Sequence, residues 1–330
     1  AETSALLAAI LAREGRCDDA QTYVEDALGW DPGASLALEA RALCGTSPVP
    51  LATSSAVVTA PDTPVPSTSG GVIKQPALTG RIAFPVWDAG AAKYHTHIIR
   101  PDGSDRRLVA TEVSQPAFSP DGNWLAVNGA RDLQENLLLV RLDGSDLLEI
   151  TEHTEDGLPA WSPDGRRLAF SSTRHGDRQS RIYVLDPVPF DGHKAQGRVL
   201  NTGPDDARGA YPTWTASEQV LYAGCDYTTT PASCGLLLMI PDPGPHTPRS
   251  VTDHSGDTAP DAYGERVTFM SDRDGNWEIY AMDTDGKNQN RLTRNSRIDG
   301  GPRWSSDGQR IAFASRRYWN WDIYVMDANG

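Results

Sequence analysis

"PAWSPDGRRLAFSS" occupies residues 159–172, and "PRWSSDGQRIAFAS" occupies residues 302–315. Two near copies so far apart mark a repeat, and a repeat changes how every residue inside it is read. Aligning on the proline ahead of the aromatic gives Pro116, Pro159, Pro212, Pro260 and Pro302, separated by 43, 53, 48 and 42 residues. After each proline the pattern predicts a short strand ("AFS", "AWS", "TWT", "DAY", "RWS") and a tight turn. A second strand follows ("WLAVNG", "RLAFSS", "QVLYAG", "RVTFMS", "RIAFAS"), and then a third ("NLLLVRLDG", "RIYVLDP", "GLLLMIP", "EIYAMDTDG", "DIYVMDANG"). A short fourth ("LEIT", "RVLN", "SVT", "RLT") closes every unit but the last.

Four strands of period-two alternation per unit, repeating every ~40–50 residues, predict the radial sheets of a β-propeller. A further copy precedes Pro116 as "RIAFPVW", "HTHIIRPDG" and "RRLVAT" and lacks its first strand. The fold class is therefore mainly β, a six-bladed propeller. The last copy ends at Gly330 after its third strand, and a sheet one strand short exposes unpaired donors and acceptors that template another segment.

Composition agrees. Gly and Pro number 30 and 24, Trp and Tyr 9 and 10, and Met only 4, which suits a turn-rich chain with aromatic strands. A formal charge of -14 repels a phosphate backbone and an anionic membrane surface, arguing against nucleic acid as a partner. The longest apolar runs, "ALLAAILA" (5–12) and "LLLMI" (236–240), fall well short of the ~20 residues of a spanning helix. The chain begins at Ala1, so either a leader has been removed or a longer chain precedes it.

The motifs "FSPDG", "WSPDG", "WSSDG", "IYVLD", "EIYAMDTDG" and "DIYVMDANG" resemble the TolB-type propeller repeat, a relative of the WD-repeat found in bacterial periplasmic and secreted proteins, across about residues 79–330. The resemblance implies protein partners. Upstream, residues 2–44 carry apolar residues at three- and four-residue spacing, broken at Gly15, Gly29 and Gly33, and read as helices. They resemble about one and a third tetratricopeptide repeats, through Leu6, Ala9, Gly15, Ala20, Ala27, Leu28 and the Asp31-Pro32 turn. Three regions follow: tetratricopeptide-like helices (1–46), a Pro/Ser/Thr-rich linker (47–78) with Asp62 the one charge of its stretch 47–71, and the propeller (79–330).

The four cysteines fall into two local couples, Cys17 with Cys44 and Cys225 with Cys234, the pattern of two short-range disulfides and of an oxidising, extracytoplasmic compartment. An aspartate stands three residues before the aligned proline in three units: Asp156, Asp257 and Asp299. These carboxylates either converge on the channel to hold a cation such as Ca²⁺ or cap their own loops. "DRDGN" (272–276) and "DTDGKN" (283–288) resemble pieces of calcium loops but read as hairpin turns. His153 and His254 hold one repeated loop position, and His95 and His97 share a strand face. No nucleophile-elbow, phosphate-loop or zinc-protease motif occurs, and no cofactor is implied beyond that cation.

The expected role is a non-enzymatic extracytoplasmic scaffold that assembles with other copies of itself. The last blade is closed by the chain's own "VIKQPAL" (72–78), or a neighbouring copy supplies "AVVTA" (56–60) or "VIKQ". The interaction residues are Val57, Val58, Val72 and Ile73, with Tyr318, Trp319 and Trp321 as aromatic anchors. The alternatives are a ligand-sensing ectodomain and a hydrolase or lyase working in the channel.

Overall fold

The computed structural model describes residues 80–131, 134–153, 155–188, 198–201, 207–242, 247–316 and 321–330. The expected helices, linker and Cys17–Cys44 bridge lie outside them. Contacts divide the chain into a unit of residues 1–73 and a unit of residues 74–330.

Among the described residues of the second unit, six antiparallel sheets follow one another along the chain. Sheet 1 is β1 (Ile82–Asp88), β2 (Lys93–Ile99) and β3 (Arg107–Ala110). Sheet 2 is β4 (Val113–Phe118), β5 (Trp124–Arg131), β6 (Gln134–Arg141) and β7 (Leu147–Glu149). Sheet 3 is β8 (Gly157–Trp161), β9 (Leu168–Ser172), β10 (Arg181–Asp186) and β11 (Arg198–Asn201). Sheet 4 is β12 (Ala207–Trp214), β13 (Val220–Asp226), β14 (Ser233–Met239) and β15 (Arg249–Ser250). Sheet 5 is β16 (Thr258–Tyr263), β17 (Arg266–Ser271), β18 (Glu278–Asp283) and β19 (Asn290–Arg291), and sheet 6 is β20 (Asp299–Trp304), β21 (Arg310–Ser315) and β22 (Asp322–Asp327).

Strand order is sequential in every sheet, and the first strands lie side by side, β4 by β8, β8 by β12, β12 by β16 and β16 by β20. Period-two alternation makes each second and third strand double-faced. On β5, Trp124 and Ala126 pack toward sheet 3, while Leu125 and Val127 pack toward sheet 1. Five successive apolar layers formed this way join sheets 1 through 6 in chain order. This is a propeller-like arrangement, mainly β, as the repeat implied.

The wedge position after the aligned proline also carries a polar tie. The indole Nε1–H of Trp161 donates to Ala117 O (3.1 Å), that of Trp214 to Ala160 O (3.0 Å) and that of Trp304 to Asp261 O (3.2 Å). Each reaches the first strand of the preceding sheet. Tryptophan recurs here because it fills the gap between sheets and satisfies a backbone carbonyl at once.

The "SPDG" turn closes the same way three times. Ser119, Ser162 and Ser305 each donate through Oγ to the aspartate two residues on, and the following Gly122, Gly165 and Gly308 adopt φ of +69°, +71° and +67°. The hydroxyl bond is the leading cause that lowers the Asp121, Asp164 and Asp307 carboxyls from their ordinary range. In sheet 4 "TASE" builds an equivalent turn with Glu218 at φ +58°.

The register of each first strand slips around its proline, and the residue just before it is left-handed: Gln115, Leu158, Tyr211, Ala259 and Gly301 have φ of +52°, +53°, +58°, +47° and +59°. A bulge at every inner strand is a repeated, built-in bend.

Candidate functional site

The aspartates at the entry to the inner strands come first. Asp156, Asp257 and Asp299 are buried, at 0, 1 and 0% exposure. Arg174 Nη2 donates to Asp156 Oδ2 at 2.6 Å, and Arg273 Nη2 donates to both oxygens of Asp257 at 2.8 and 2.7 Å. Each guanidinium also stacks on the aromatic pair of its own sheet, Arg174 on Phe170 and Tyr183, Arg273 on Phe269 and Tyr280. Asp299 instead accepts from Ser315 Oγ (2.5 Å) and Asn295 Nδ2 (2.6 Å).

Side-chain donors hold all three carboxylates. Each carboxylate is engaged inside its own sheet, and among the described residues no group of three or more His, Cys, Asp or Glu side chains stands ready to hold a metal ion. The sequence carried a signal for the arginine partner, because Phe170-x-Ser172-x-Arg174 is repeated as Phe269-x-Ser271-x-Arg273.

The calcium-loop fragments are turns. Gly286 N–H bonds to Asp283 O, Lys287 binds Asp285 through backbone and side chain, and Asn288 Nδ2 donates to Asp283 Oδ2 (2.5 Å). In "DRDGN", Gly275 N–H bonds back to Asp272 O.

His254 Nδ1 lies 3.7 Å from Asp257 Oδ1, and His153 Nδ1 lies 4.0 Å from Asp156 Oδ1. His254 Nδ1 accepts the Gly256 N–H at 3.0 Å, which places the proton of the neutral ring on Nε2, away from the carboxylate. The pair is therefore not arranged as a proton relay. Ser315 and Asp299 have the spacing of a nucleophile and base, but both are fully buried, where a substrate has no approach. In the connection from β3 to β4, Thr111 and Glu112 line a cleft of about 250 Å³ together with Val113, Leu138 and Leu147. His95 is tied up at the same end, accepting the Glu112 N–H (3.0 Å), and His97 stacks on Phe84.

Cys225 and Cys234 face each other across β13 and β14 and form a disulfide, Cα–Cα 4.1 Å, as expected.

The open edge is the remaining candidate. Sheet 6 has three strands, with no fourth beside β22 among the described residues. Its cost is visible by comparison within the chain. Leu137, Leu236 and Ile279 hold the same place on the third strand of sheets 2, 4 and 5 and are fully buried; Ile323, their counterpart on β22, is 39% exposed. Trp321 beside it is 44% exposed. Sheet 1 also has three strands, with no first strand beside β1 among the described residues. Val57, Val58, Val72, Ile73, Tyr318 and Trp319 lie outside the described residues.

Residues 249–330, from β15 of sheet 4 through sheets 5 and 6, match the model of the TolB beta propeller domain. The Tol-Pal system protein TolB of Desulfosudis oleivorans is 50% identical over 48 residues, 14% of this chain and 11% of that protein. The crystal structure of TolB from Acinetobacter baumannii is similar with a TM-score of 0.62 and 20% identity, over 77% of this chain and 62% of that one. The tricorn protease is similar with a TM-score of 0.52 and 18% identity, over 75% of this chain and 24% of that one. At these identities the structural likeness is one of fold. The chain thus spans a small part of the curated relative and less than two thirds of the Acinetobacter structure.

Proposed function

We propose that this protein is a non-enzymatic, extracytoplasmic interaction scaffold that assembles with other copies of itself through the open edge of sheet 6. The observation that carries the reading is Ile323, more than a third exposed at a position that is sealed in sheets 2, 4 and 5. An added strand would recover backbone hydrogen bonds along β22 and bury the remainder of Ile323, worth about 1 kcal/mol from apolar area alone. The propeller likeness favours protein partners, since inter-strand faces and rims, not a catalytic constellation, are what the described residues offer. The Cys225–Cys234 bridge favours an oxidising compartment. Light scattering of the full chain over a hundredfold concentration range tests the reading: mass should rise above that of one chain, and a constant single-chain mass throughout overturns it.

A further inference from the structure

The amide that leads into an inner strand is held by an imidazole in two places. Glu112 and Gly256 stand at the same repeat position, four residues before Pro116 and Pro260. The Glu112 N–H donates to His95 Nδ1 and the Gly256 N–H donates to His254 Nδ1, each at 3.0 Å. The two histidines share no place in the repeat. His95 lies on β2, 17 residues before its amide, whereas His254 is two residues before its own. Copying of the unit therefore does not explain the contact, which is rebuilt from separate positions with the same side chain.

An acceptor at this place need not titrate. In the loop entering sheet 6 the Arg297 N–H donates to Asn295 Oδ1 at 2.7 Å, and an amide oxygen remains an acceptor whether the solution is neutral or acidic. An imidazole keeps Nδ1 as an acceptor only while it is neutral, and histidine is the side chain that changes charge between about pH 5 and 8.

The surroundings give the charged ring new partners. His254 Nδ1 lies 3.7 Å from Asp257 Oδ1 and 3.7 Å from Asp272 Oδ1, and a Cβ on Gly256 would fall 1.9 Å from that same Asp272 oxygen. Arg273, the cation of this cluster, is already bound to Asp257. At His95 the other ring nitrogen lies 3.5 Å from Asp88 Oδ2, and Lys93 is paired with the Glu112 carboxylate. Glu112 is itself left-handed, at φ +58°, a conformation that costs a residue with a Cβ and needs a tie to persist. Both rings are partly open to solvent, so protons reach them.

We propose that His95 and His254 are proton-operated clasps on the loops entering sheets 2 and 5. At neutral pH each ring accepts its loop amide. Protonation turns Nδ1 into a donor. At His254 the ring then exchanges the Gly256 N–H for the Asp257 and Asp272 oxygens, and at His95 two N–H groups are set against each other and Glu112 is released. The amide bond is present above the histidine range and is lost as pH falls through it. Mild acid thus loosens these two loops together, while the loop entering sheet 6 keeps its bond to Asn295.

Hydrogen exchange of the full chain, followed by mass spectrometry and corrected for the intrinsic pH dependence of amide exchange, tests this at about pH 7.5 and about pH 5.5. Segments 108–114 and 252–258 should lose about fivefold in protection at the lower pH, and segment 293–299 should be unchanged. His254→Asn supplies an acceptor that does not titrate and should abolish the change in 252–258 alone; His95→Asn should do so in 108–114 alone. No loss in either histidine-held segment, equal loss in all three segments, or a loss that survives both substitutions overturns the proposal. Should a variant fail to fold, the parent decides the matter. In its NMR pH titration the Gly256 amide should move with the same inflection as the His254 ring, and an amide that does not follow the ring overturns the clasp.

Discussion

Arg273 grips both carboxylate oxygens of Asp257 while its guanidinium lies over Phe269 and Tyr280, and Arg174 repeats the arrangement with Asp156 two sheets earlier. The stacking fixes the fork, and the fork holds a buried charge at the entrance of an inner strand.

Removing one partner strands the other. Arg273→Ala should lower unfolding free energy by about 3 kcal/mol or more, because the Asp257 side chain is sealed from solvent. Combining it with Asp257→Asn should recover much of that loss. A double-mutant cycle by urea denaturation measures both, and additive losses would show that the two residues do not act as a pair.

Trp214 separates volume from hydrogen bonding. Trp214→Phe removes the Nε1–H donated to Ala160 O but keeps an aromatic wedge, as Phe118 already does in sheet 2. The expected loss is about 1 kcal/mol, against about 3–5 kcal/mol for Trp214→Ala. Equal losses would mean that packing alone matters.

Gly301 isolates backbone strain. Its φ is +59° and a Cβ there would meet no atom within 4 Å, so Gly301→Ala should cost about 1 kcal/mol through conformation alone. Gly308→Ala should cost more, since at φ +67° its Cβ would also fall 2.0 Å from the Tyr263 ring. Thermal denaturation of the two variants orders them.

Asp261 gives a pH dependence opposite to that of the turn aspartates. Burial raises its carboxyl above the ordinary 3.8, while Arg303 and the Trp304 N–H, which donates to Oδ2 at 2.7 Å, pull it back. A raised folded value means the folded state holds the proton more tightly. Its contribution is therefore full below 3.8 and is lost as pH rises through the folded value. Asp261→Asn mimics the protonated form and keeps an acceptor for Trp304. It should be more stable than the parent at pH 7, with the gap closing toward pH 3, as followed by urea midpoints across that range.

The repeat was legible because each of its signals has a local physical cause. Alternation marks a strand with two buried faces, Ser-x-Asp-Gly marks a turn closed by a hydroxyl and a left-handed glycine, and tryptophan marks the wedge. The partners of Asp156 and Asp257 were not, because Arg174 and Arg273 lie 18 and 16 residues away and meet them only once the first two strands pair. Nor was the bond from the Ile279 N–H to Thr293 Oγ1, since as a letter Thr293 is one more β-former.

The indole ties have an evolutionary corollary. Each of Trp161, Trp214 and Trp304 reaches back by one sheet and no further. A duplication or excision in whole units leaves every such donor an acceptor of the same kind, so copy number can drift in a lineage without any single sequence change having to accompany it.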